Sequence, residues 1–325
     1  MLNYIIMQNV LVTGGTGMVG SVLKQYLNYN ESVDNFYFVS SQDYDLTDMK
    51  QVEECFNERK YDKIIHLAAL VGGLYKNMNN NSLMLMKNLK INTNIIEACH
   101  KYNINRGIFC LSSCIYPKEP SKFPMTEEQL YESEPHESNE GYAYSKRMLA
   151  MLCKHYNNDY GREYICVSPV NLYGAYDNFS ISDGHVIPGL INRMYKTKHK
   201  IAPYDTEYFE VYGSGIARRQ FLFAPNFCSL ILQMLYNKNI KNGIYNICDD
   251  NEYTIKQIVS LIAKILDFDE IKIVYNKNYS DGIIKKTVSN KKLKELNPDI
   301  KFTNIEKGLT LTYEWFIKNL NDIIE

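Results

Sequence analysis

Two short stretches of the chain carry side chains that can donate and accept protons. The first, residues 111–117, reads LSSCIYP and contains the hydroxyl of Ser112 and the thiol of Cys114. The second contains Tyr142 and Lys146, which share one face if the stretch is helical, because residues four apart lie one turn apart. A nearby ammonium favours the phenolate and lowers the pKa of a tyrosine. The spacing therefore predicts that Tyr142 is a general acid and base tuned by Lys146.

A glycine-rich turn near the start of the chain indicates a dinucleotide site. An apolar run at 9–13 predicts a buried strand, the turn reads GGTGMVG, and a helical pattern continues to Leu27. Glycines at these spacings let the backbone approach a pyrophosphate, which binds at the N-terminal end of the following helix. The predicted ligands are Gly14, Gly15, Thr16, Gly17, Met18, Val19 and Gly20.

Short apolar runs alternate with helical patterns through about residue 170, as βαβ units require. The predicted strands are 9–12, 36–40, 63–67, 107–111 and 164–168, and the clearest helices are 88–102 and 142–156. We therefore expect an α/β fold, a Rossmann-like doubly wound parallel sheet with a smaller, partly interleaved α/β substrate lobe. The expected division is a cofactor-binding domain at 1–175, rejoined by parts of 220–255, and a substrate-binding lobe at 176–325.

Ligands of such sheets bind beyond the carboxyl ends of the strands. Gly14, Ala68, Ser112 and Pro169 all lie at or just past predicted strand ends, so we expect them to meet in one cleft. The strand after residue 243 is expected to rejoin the main sheet, and Thr254 is expected to cap the next helix.

Composition favours an ordinary enzyme-sized globular protein. The chain has 325 residues, 45% of them hydrophobic, and a net charge of −1, which argues against nucleic acid or an anionic membrane as the main partner. Residues 1–7 lack the basic and apolar regions of a secretory signal. The eight cysteines have no paired metal-ligand spacing. We expect a reduced, cytoplasmic protein without a metal site.

The choice of cofactor depends on the residues that follow the second predicted strand. Ser40, Ser41 and Gln42 stand where NAD enzymes carry an acidic residue on the ribose 2′-hydroxyl. Hydroxyl and amide groups can donate to a 2′-phosphate, which a carboxylate would repel, so NADP is favoured. The arginine that often binds this phosphate is missing from this position.

The glycine turn and Tyr142-x-x-x-Lys146 together resemble the extended short-chain dehydrogenase/reductase family, and the resemblance covers nearly the whole chain. Further family marks are Leu67-Ala68-Ala69 and the PVNLYG segment at 169–174. The family implies cofactor contacts from Leu67, Ala68, Ala69, Asn88, Lys146, Pro169, Val170, Asn171, Leu172 and His185, besides Ser40 and Ser41.

Within that family, the segments 112–117, 177–179, 184–188, 213–215 and 219–221 occur in the order found in one branch. Members of this branch epimerise GDP-4-dehydro-6-deoxy-D-mannose at C3 and C5 and then reduce its C4 ketone with NADPH, which gives GDP-L-fucose. The resemblance implies that Tyr142 protonates the C4 oxygen, that Ser112 hydrogen-bonds it, and that Lys146 also binds the nicotinamide ribose.

Epimerisation requires a base on one face of the sugar and an acid on the other. Cys114 follows Ser112 by two positions, so at a strand end both side chains would point the same way, and nearby positive charge would make the thiol a usable base. His185 is the expected opposite-face acid, because its pKa lies near neutrality. A buried, inert cysteine and a satisfied core histidine are the alternatives.

The resemblance also implies a set of contacts to the GDP-sugar. Arginine forks suit phosphate, and an aromatic ring suits a nucleobase. The implied residues are Asn171, Arg193, Tyr212, Arg219, Asp281 and Lys286.

Two other functions stay open at this point. Sugar-nucleotide 4,6-dehydratases share the fold and the Tyr142/Lys146 pair, but usually carry Thr-Asp-Glu where residues 113–115 read SCI. A non-catalytic NADP-sensing module is the second alternative, although such modules commonly lose the catalytic pair. Family members commonly form homodimers through a four-helix bundle, for which 88–102 and 142–156 are the candidate helices.

Overall fold

A six-stranded parallel sheet forms the centre of the molecule. The computed structural model describes residues 7–30 and 32–323, so residues 1–6 of the segment considered for a targeting signal lie outside the described residues. The strands of the sheet are β1 (Asn9–Thr13), β2 (Asn35–Val39), β3 (Lys63–His66), β4 (Arg106–Cys110), β5 (Glu163–Pro169) and β10 (Gly243–Ile247). Their spatial order is β10-β5-β4-β3-β1-β2.

The helices and the remaining strands follow in chain order. The helices are α1 (Met18–Tyr29), α2 (Met49–Asn57), α3 (Leu74–Asn79), α4 (Asn81–Lys101), α5 (Glu140–Tyr160), α6 (Val186–Lys198), α7 (Ala224–Tyr236), α8 (Ile255–Leu266), α9 (Lys291–Leu296), α10 (Ile305–Lys318) and α11 (Leu320–Ile323). The other strands are β6 (Asn171–Tyr173), β7 (Phe209–Tyr212), β8 (Arg218–Arg219), β9 (Phe221–Phe223), β11 (Tyr253–Thr254), β12 (Ile273–Asn276) and β13 (Lys285–Lys286).

The predicted doubly wound sheet is confirmed. The chain passes from β1 to β2 on one side and to β3 on the other, so the strand order reverses between β1 and β3. Val10, Leu11 and Val12 have no exposed surface, as the apolar run in β1 requires. Helix α1 packs against α7, and α4 packs against α5. The crevice at the reversal lies just past Thr13 and His66, where such sheets bind ligands.

A second hydrophobic cluster lies apart from the core of the main sheet. It is built from α6, α8 and α10 together with β7 and β9, and includes Ile191, Ile258, Leu309 and Phe316. Small sheets of order β11-β8-β13, β12-β7 and β6-β9 accompany it. Strand β10 comes after much of this cluster in the chain, yet pairs in parallel with β5. The division at residue 175 stays a prediction.

Two predicted helices start earlier than expected. Helix α4 begins at Asn81 and not at Asn88, because the Asn-rich run at 77–81 leads directly into it. Helix α5 begins at Glu140, so its first turn already contains Tyr142. Thr254 caps α8 as predicted, since its hydroxyl accepts from the Gln257 amide.

Candidate active site

The glycine turn forms a close-packed cradle at the reversal point of the sheet. Gly14 has a φ of +75°, and a Cβ there would lie 2.9 Å from the Ala68 nitrogen. A Cβ on Gly20 would lie 2.7 Å from the Gly15 carbonyl oxygen and closer still to that of Gly14. Helix α1 begins at Met18 without a side-chain cap. Uncapped N–H groups beside a turn of this kind suit a pyrophosphate, so the residues fit a dinucleotide.

A buried hydrogen-bond chain ties the cradle to α5. The Thr13 hydroxyl lies 2.8 Å from His66 Nδ1, and His66 Nε2 lies 3.2 Å from Asn92 Oδ1. The Asn92 amide donates to the Ser145 carbonyl, and the Ala68 amide donates to Thr13 Oγ1. These partners fit a neutral His66 that carries its proton on Nε2. These hydrogen bonds fix the loop after β3 relative to the first half of α5.

Asn88 is buried behind the loop that follows β3. Its side chain accepts from the Leu70 amide and donates to the Leu70 carbonyl, and the residue has no exposed surface. We therefore assign Asn88 to holding Leu67, Ala68 and Ala69 in place; a direct contact with the cofactor stays a prediction.

The turn after β2 contains a carboxylate that the sequence reasoning passed over. The Ser40 hydroxyl donates to Asp43 Oδ2 at 2.8 Å and accepts from the Gln42 amide. Asp43 is exposed, and these hydrogen bonds lower its pKa. Ser41 and Gln42 are exposed beside it. Ser40 is thus engaged with an anion, and Ser41 and Gln42 are the free donors of this turn for a 2′-phosphate.

Ser112 and Cys114 lie just past the end of β4, in a tight turn. Residues Ser113–Ile115 form a single 3-10 turn, and the Ser112 hydroxyl accepts from the Cys114 amide at 3.3 Å. The prediction that Ser112 and Cys114 point the same way from an extended strand end is wrong, because the chain turns at Ser113. The two residues are nonetheless joined by this short hydrogen bond, and Cys114 is buried.

Tyr142 and Lys146 lie on one face of α5, as predicted. Lys146 Nζ lies 5.8 Å from the centre of the Tyr142 ring and donates to the Cys110 carbonyl at 2.7 Å. Burial, followed by the nearby Cys114 and Cys110, holds the pKa of Tyr142 well above its ordinary value. The predicted lowering by Lys146 is wrong for the protein itself, since burial dominates and the ammonium is turned toward a carbonyl. Burial also lowers the pKa of Lys146.

Lys286 is the cation that acts most strongly on Cys114. Burial raises the pKa of the Cys114 thiol, and Lys286, the Ser112 hydroxyl and Lys146 oppose that rise in decreasing order. The expected net lowering is therefore not observed. Lys286 lies on β13 opposite Arg219, and it lines a small pocket together with Cys114. Lys286, which the resemblance assigns to binding the GDP-sugar, thus lies near the thiol of Cys114.

Arg147 is a site residue that the sequence reasoning missed. It follows Lys146 on α5, is 6% exposed, and donates from Nε to the Ile115 carbonyl at 2.7 Å. Its Nη2 is buried without a hydrogen-bond partner among the described residues. The guanidinium therefore fixes the turn that contains Cys114. Only its position next to Lys146 could have drawn attention to it.

His185 lies at the N-terminus of α6, in an ion pair. Its Nδ1 is 3.6 Å from Asp177 Oδ1; the histidine side chain is 53% exposed and that of the aspartate 2%. The interaction with the Asp177 carboxylate raises the pKa of His185, against a smaller opposing effect of burial. Gly73, in the loop after β3, packs against the carbonyls of Asp183 and Gly184. The segment that leads into His185 thus lies against the loop that follows β3; no contact among the described residues joins His185 to Cys114.

The candidate nucleotide residues form a stack at one end of the smaller cluster. The guanidinium of Arg193 lies 4.4 Å from the Tyr212 ring centre, and the Tyr212 and Tyr279 rings are 4.3 Å apart. Arg193 Nη1 also donates to the Glu210 carbonyl. Tyr212 and Tyr279 are each 41% exposed, so the stack is open to solvent on its outer face. Tyr279 was not foreseen, because it is distant in sequence.

Asp281, Arg219 and Asn171 complete the predicted set. Asp281 accepts from the amide and hydroxyl of Ser214 at 2.8 and 2.7 Å, so its carboxylate fastens a loop in place. Burial lowers the pKa of Arg219, and Asp281 opposes that effect. Asn171 donates to the Gln220 carbonyl at 2.8 Å. Asp281 and Asn171 thus have protein partners already, and their substrate contacts stay predictions.

Comparison with known proteins agrees with this site. Residues 10–248 match the NAD dependent epimerase/dehydratase family. The chain is 37% identical over 317 residues to a probable GDP-L-fucose synthase of Drosophila melanogaster, with 96% of this chain and 98% of that protein covered. It is 32% identical to the GDP-L-fucose synthase of Escherichia coli (strain K12), with 96% and 97% covered.

A solved structure extends the agreement to the fold. The GDP-L-fucose synthetase of Naegleria fowleri bound to NADP superposes with a TM-score of 0.89 at 32% identity, over 98% of this chain and 96% of that one. The similarity therefore covers nearly the whole of this chain. This chain belongs to the NAD-dependent epimerase/dehydratase family, within the group of the GDP-L-fucose synthases.

Proposed function

We propose that the protein converts GDP-4-dehydro-6-deoxy-D-mannose to GDP-L-fucose by epimerisation at C3 and C5 and reduction at C4. The observation that carries this proposal is the grouping of Ser112, Cys114, Tyr142 and Lys146 at the carboxyl ends of the strands, beside the glycine cradle. A dehydratase would need an acidic pair where Cys114 and Ile115 stand, and a binding module would not need the Tyr142/Lys146 pair.

The reductive half uses the neutral phenol that burial favours. The glycine cradle would hold the pyrophosphate of NADPH, which when bound would supply the hydride for C4. Tyr142, whose pKa is held high, gives its proton to the ketone oxygen as that oxygen gains charge. The Cys110 carbonyl accepts a hydrogen bond from Lys146 and so positions its ammonium group near the phenol of Tyr142. Ser112, at the start of the turn after β4, would donate its hydroxyl proton to the same ketone oxygen.

The epimerising half uses Cys114 and His185. Removal of the C3 or C5 proton leaves an enolate, whose oxygen is the same C4 oxygen that Ser112 and Tyr142 hydrogen-bond. Cys114, with Lys286 and Lys146 favouring its thiolate, takes the proton. His185 is half-exposed, and Asp177 favours its protonated form, so it can return a proton to the other face. Arg193, Tyr212 and Arg219 hold the GDP portion.

Product analysis by NMR tests this function directly. Purified protein is incubated with NADPH and GDP-4-dehydro-6-deoxy-D-mannose in deuterated water. We expect GDP-L-fucose with deuterium at C3 and C5, because both carbons exchange with solvent before reduction. Formation of unlabelled GDP-rhamnose would leave the protein as a reductase only, and an absence of turnover would favour the binding module.

A homodimer through a four-helix bundle is part of the proposal. Helices α4 and α5 pack together, and their outer faces expose Met86 (54%) and Met148 (42%). A second copy would cover these apolar side chains. Sedimentation of Met148→Glu should show loss of the dimer, whereas Ile271→Glu, at a residue 88% exposed elsewhere, should retain it.

The cellular setting and the division of the chain are also proposals. None of the helices within 7–30 and 32–323 is long and apolar enough to cross a membrane. All eight cysteines carry free thiols. Free thiols are usual in the reducing cytoplasm, which supports a cytoplasmic protein. The second hydrophobic cluster supports a substrate-binding lobe that begins near residue 176.

A further inference from the structure

The carboxylate of Asp177 is buried in an unusual way for an anion. Its side chain is 2% exposed, and its Oδ2 has no hydrogen-bond partner among the described residues. Oδ1 accepts from the Asn178 amide at 2.8 Å and faces His185 Nδ1 at 3.6 Å. Burying a carboxylate with so few partners costs stability unless a cation lies beside it. The imidazole of His185 is such a cation when it is protonated, and it lies within ion-pair distance of this carboxylate.

The loop that carries Asp177 is held from two sides. The Asn192 amide on α6 donates to the Phe179 carbonyl at 2.7 Å. Phe179 stacks on Trp315 of α10 with ring centres 5.9 Å apart, and Tyr176 also contacts that indole at 5.0 Å. Asp177 therefore lies on a segment that is packed on two sides, whereas the imidazole of His185 is half-exposed to solvent.

Apart from residues 74–76, whose side chains are not described, no other charged group in the described part of the chain competes for His185. Asp183 is two positions earlier, and its backbone is engaged with Ser180 and packed against Gly73. Arg193, two turns further along α6, is directed to the Glu210 carbonyl and the Tyr212 ring. From α10, the residue that reaches this loop is the uncharged Trp315.

We propose that Asp177 is a positioning residue, which holds His185 through Nδ1 so that Nε2 faces the substrate. This inference rests on the proposed epimerase. In the step it serves, the carbon-bound hydrogen leaves as a proton to the Cys114 thiolate, and the electron pair moves into the enolate. The Nε2 proton of His185 then forms the new C–H bond on the opposite face. The neutral imidazole regains a proton from solvent, to which it is exposed, and the buried carboxylate favours that recharging.

Deuterium uptake without NADPH isolates this step. The substitution Asp177→Asn keeps the size of the side chain and an acceptor for the Asn178 amide, but removes the charge. We expect kcat for uptake at C3 and C5 to fall about 10- to 100-fold with KM retained. The break in the pH profile that reports the titration of His185 should move to lower pH because the anion that favours the imidazolium is gone.

A double-variant cycle separates positioning from a structural role. In a His185→Gln background, Asp177→Asn should cause no further loss, because there is no imidazole left to position. An additional loss there, or an unchanged pH profile in the single variant, would overturn the proposal. Absence of uptake by the unmodified protein would instead refute the epimerase, so the two failures are distinguishable.

Discussion

The contact between Gly20 and the glycine turn predicts opposite outcomes for two alanine substitutions. In Gly20→Ala, the new Cβ would lie 2.7 Å from the Gly15 carbonyl oxygen and closer to that of Gly14. In Gly17→Ala, the nearest atom is the Gly14 oxygen at an ordinary 3.4 Å, and the φ of −71° suits alanine. The two sites are one helical turn apart and receive the same methyl group.

The expected magnitude follows from what each methyl group meets. Overpacking usually costs about 1–3 kcal/mol, and backbone atoms cannot rotate away, so the cost at Gly20 belongs at about 3 kcal/mol. Alanine gains about 1 kcal/mol of helix propensity inside α1. The free energy of unfolding of Gly20→Ala should therefore fall by about 2 kcal/mol, or about 3 °C in Tm for a chain of 325 residues. For Gly17→Ala the change should stay within about 1 kcal/mol.

Cofactor affinity should distinguish the two variants as well. A methyl group at Gly17 would stand where the backbone approaches the pyrophosphate, so Kd for NADPH should rise about 10-fold without loss of stability. Urea unfolding and isothermal titration with NADPH measure the two quantities separately. A Gly20→Ala protein as stable as the unmodified one, or a Gly17→Ala protein with unchanged Kd, would refute this account of the cradle.

Three further predictions concern the site and the core. Deuterium uptake by Cys114→Ser should be slower about 100-fold or more, since a hydroxyl is a far weaker base than a thiolate. Uptake by the unmodified protein should rise with pH because the pKa of Cys114 is raised, and a flat pH profile would argue against the thiol as the base. Burial lowers the pKa of His66 to about 3, so below about pH 6.5 the unfolded chain binds a proton that the folded protein excludes. The free energy of unfolding should therefore fall by about 2 kcal/mol by pH 5, and urea titrations of His66→Gln should show a weaker dependence of this free energy on pH. Gln42→Arg should raise the affinity for NADPH about 10-fold with little effect on NADH, because a guanidinium would face the 2′-phosphate near Asp43; equal gains for both would place the 2′-phosphate elsewhere.

The parts of the site that depend on local spacing could be predicted from the sequence. A strand, a glycine turn and a helix are contiguous, so the cradle at 14–20 was predictable, as was the shared face of Tyr142 and Lys146. The tight turn after Ser112 was not, because Arg147, more than thirty residues away, holds it through the Ile115 carbonyl.

The pKa shifts and the charge contacts of the site were harder to predict from the sequence. The direction of the pKa of Tyr142 depends on how deeply the fold buries the phenol and on where Lys146 points, neither of which can be read from a four-residue spacing. The proximity of Lys286 to Cys114 depends on β13 pairing with β8. Asp177 was visible as part of a motif, but its burial against His185 appears only once α6 and α10 pack around it.

The return of β10 to the edge of the main sheet has a consequence for attempts to dissect the chain. A fragment ending near residue 175 would retain the glycine cradle and the Tyr142/Lys146 pair, yet its β5 would lack the neighbour that pairs with Ile165 through Pro169. An open row of backbone donors and acceptors on a buried strand invites pairing between molecules. Such a fragment should precipitate and not behave as a miniature nucleotide-binding protein, whereas joining residues 1–175 to the 220–255 segment through a short linker should restore solubility.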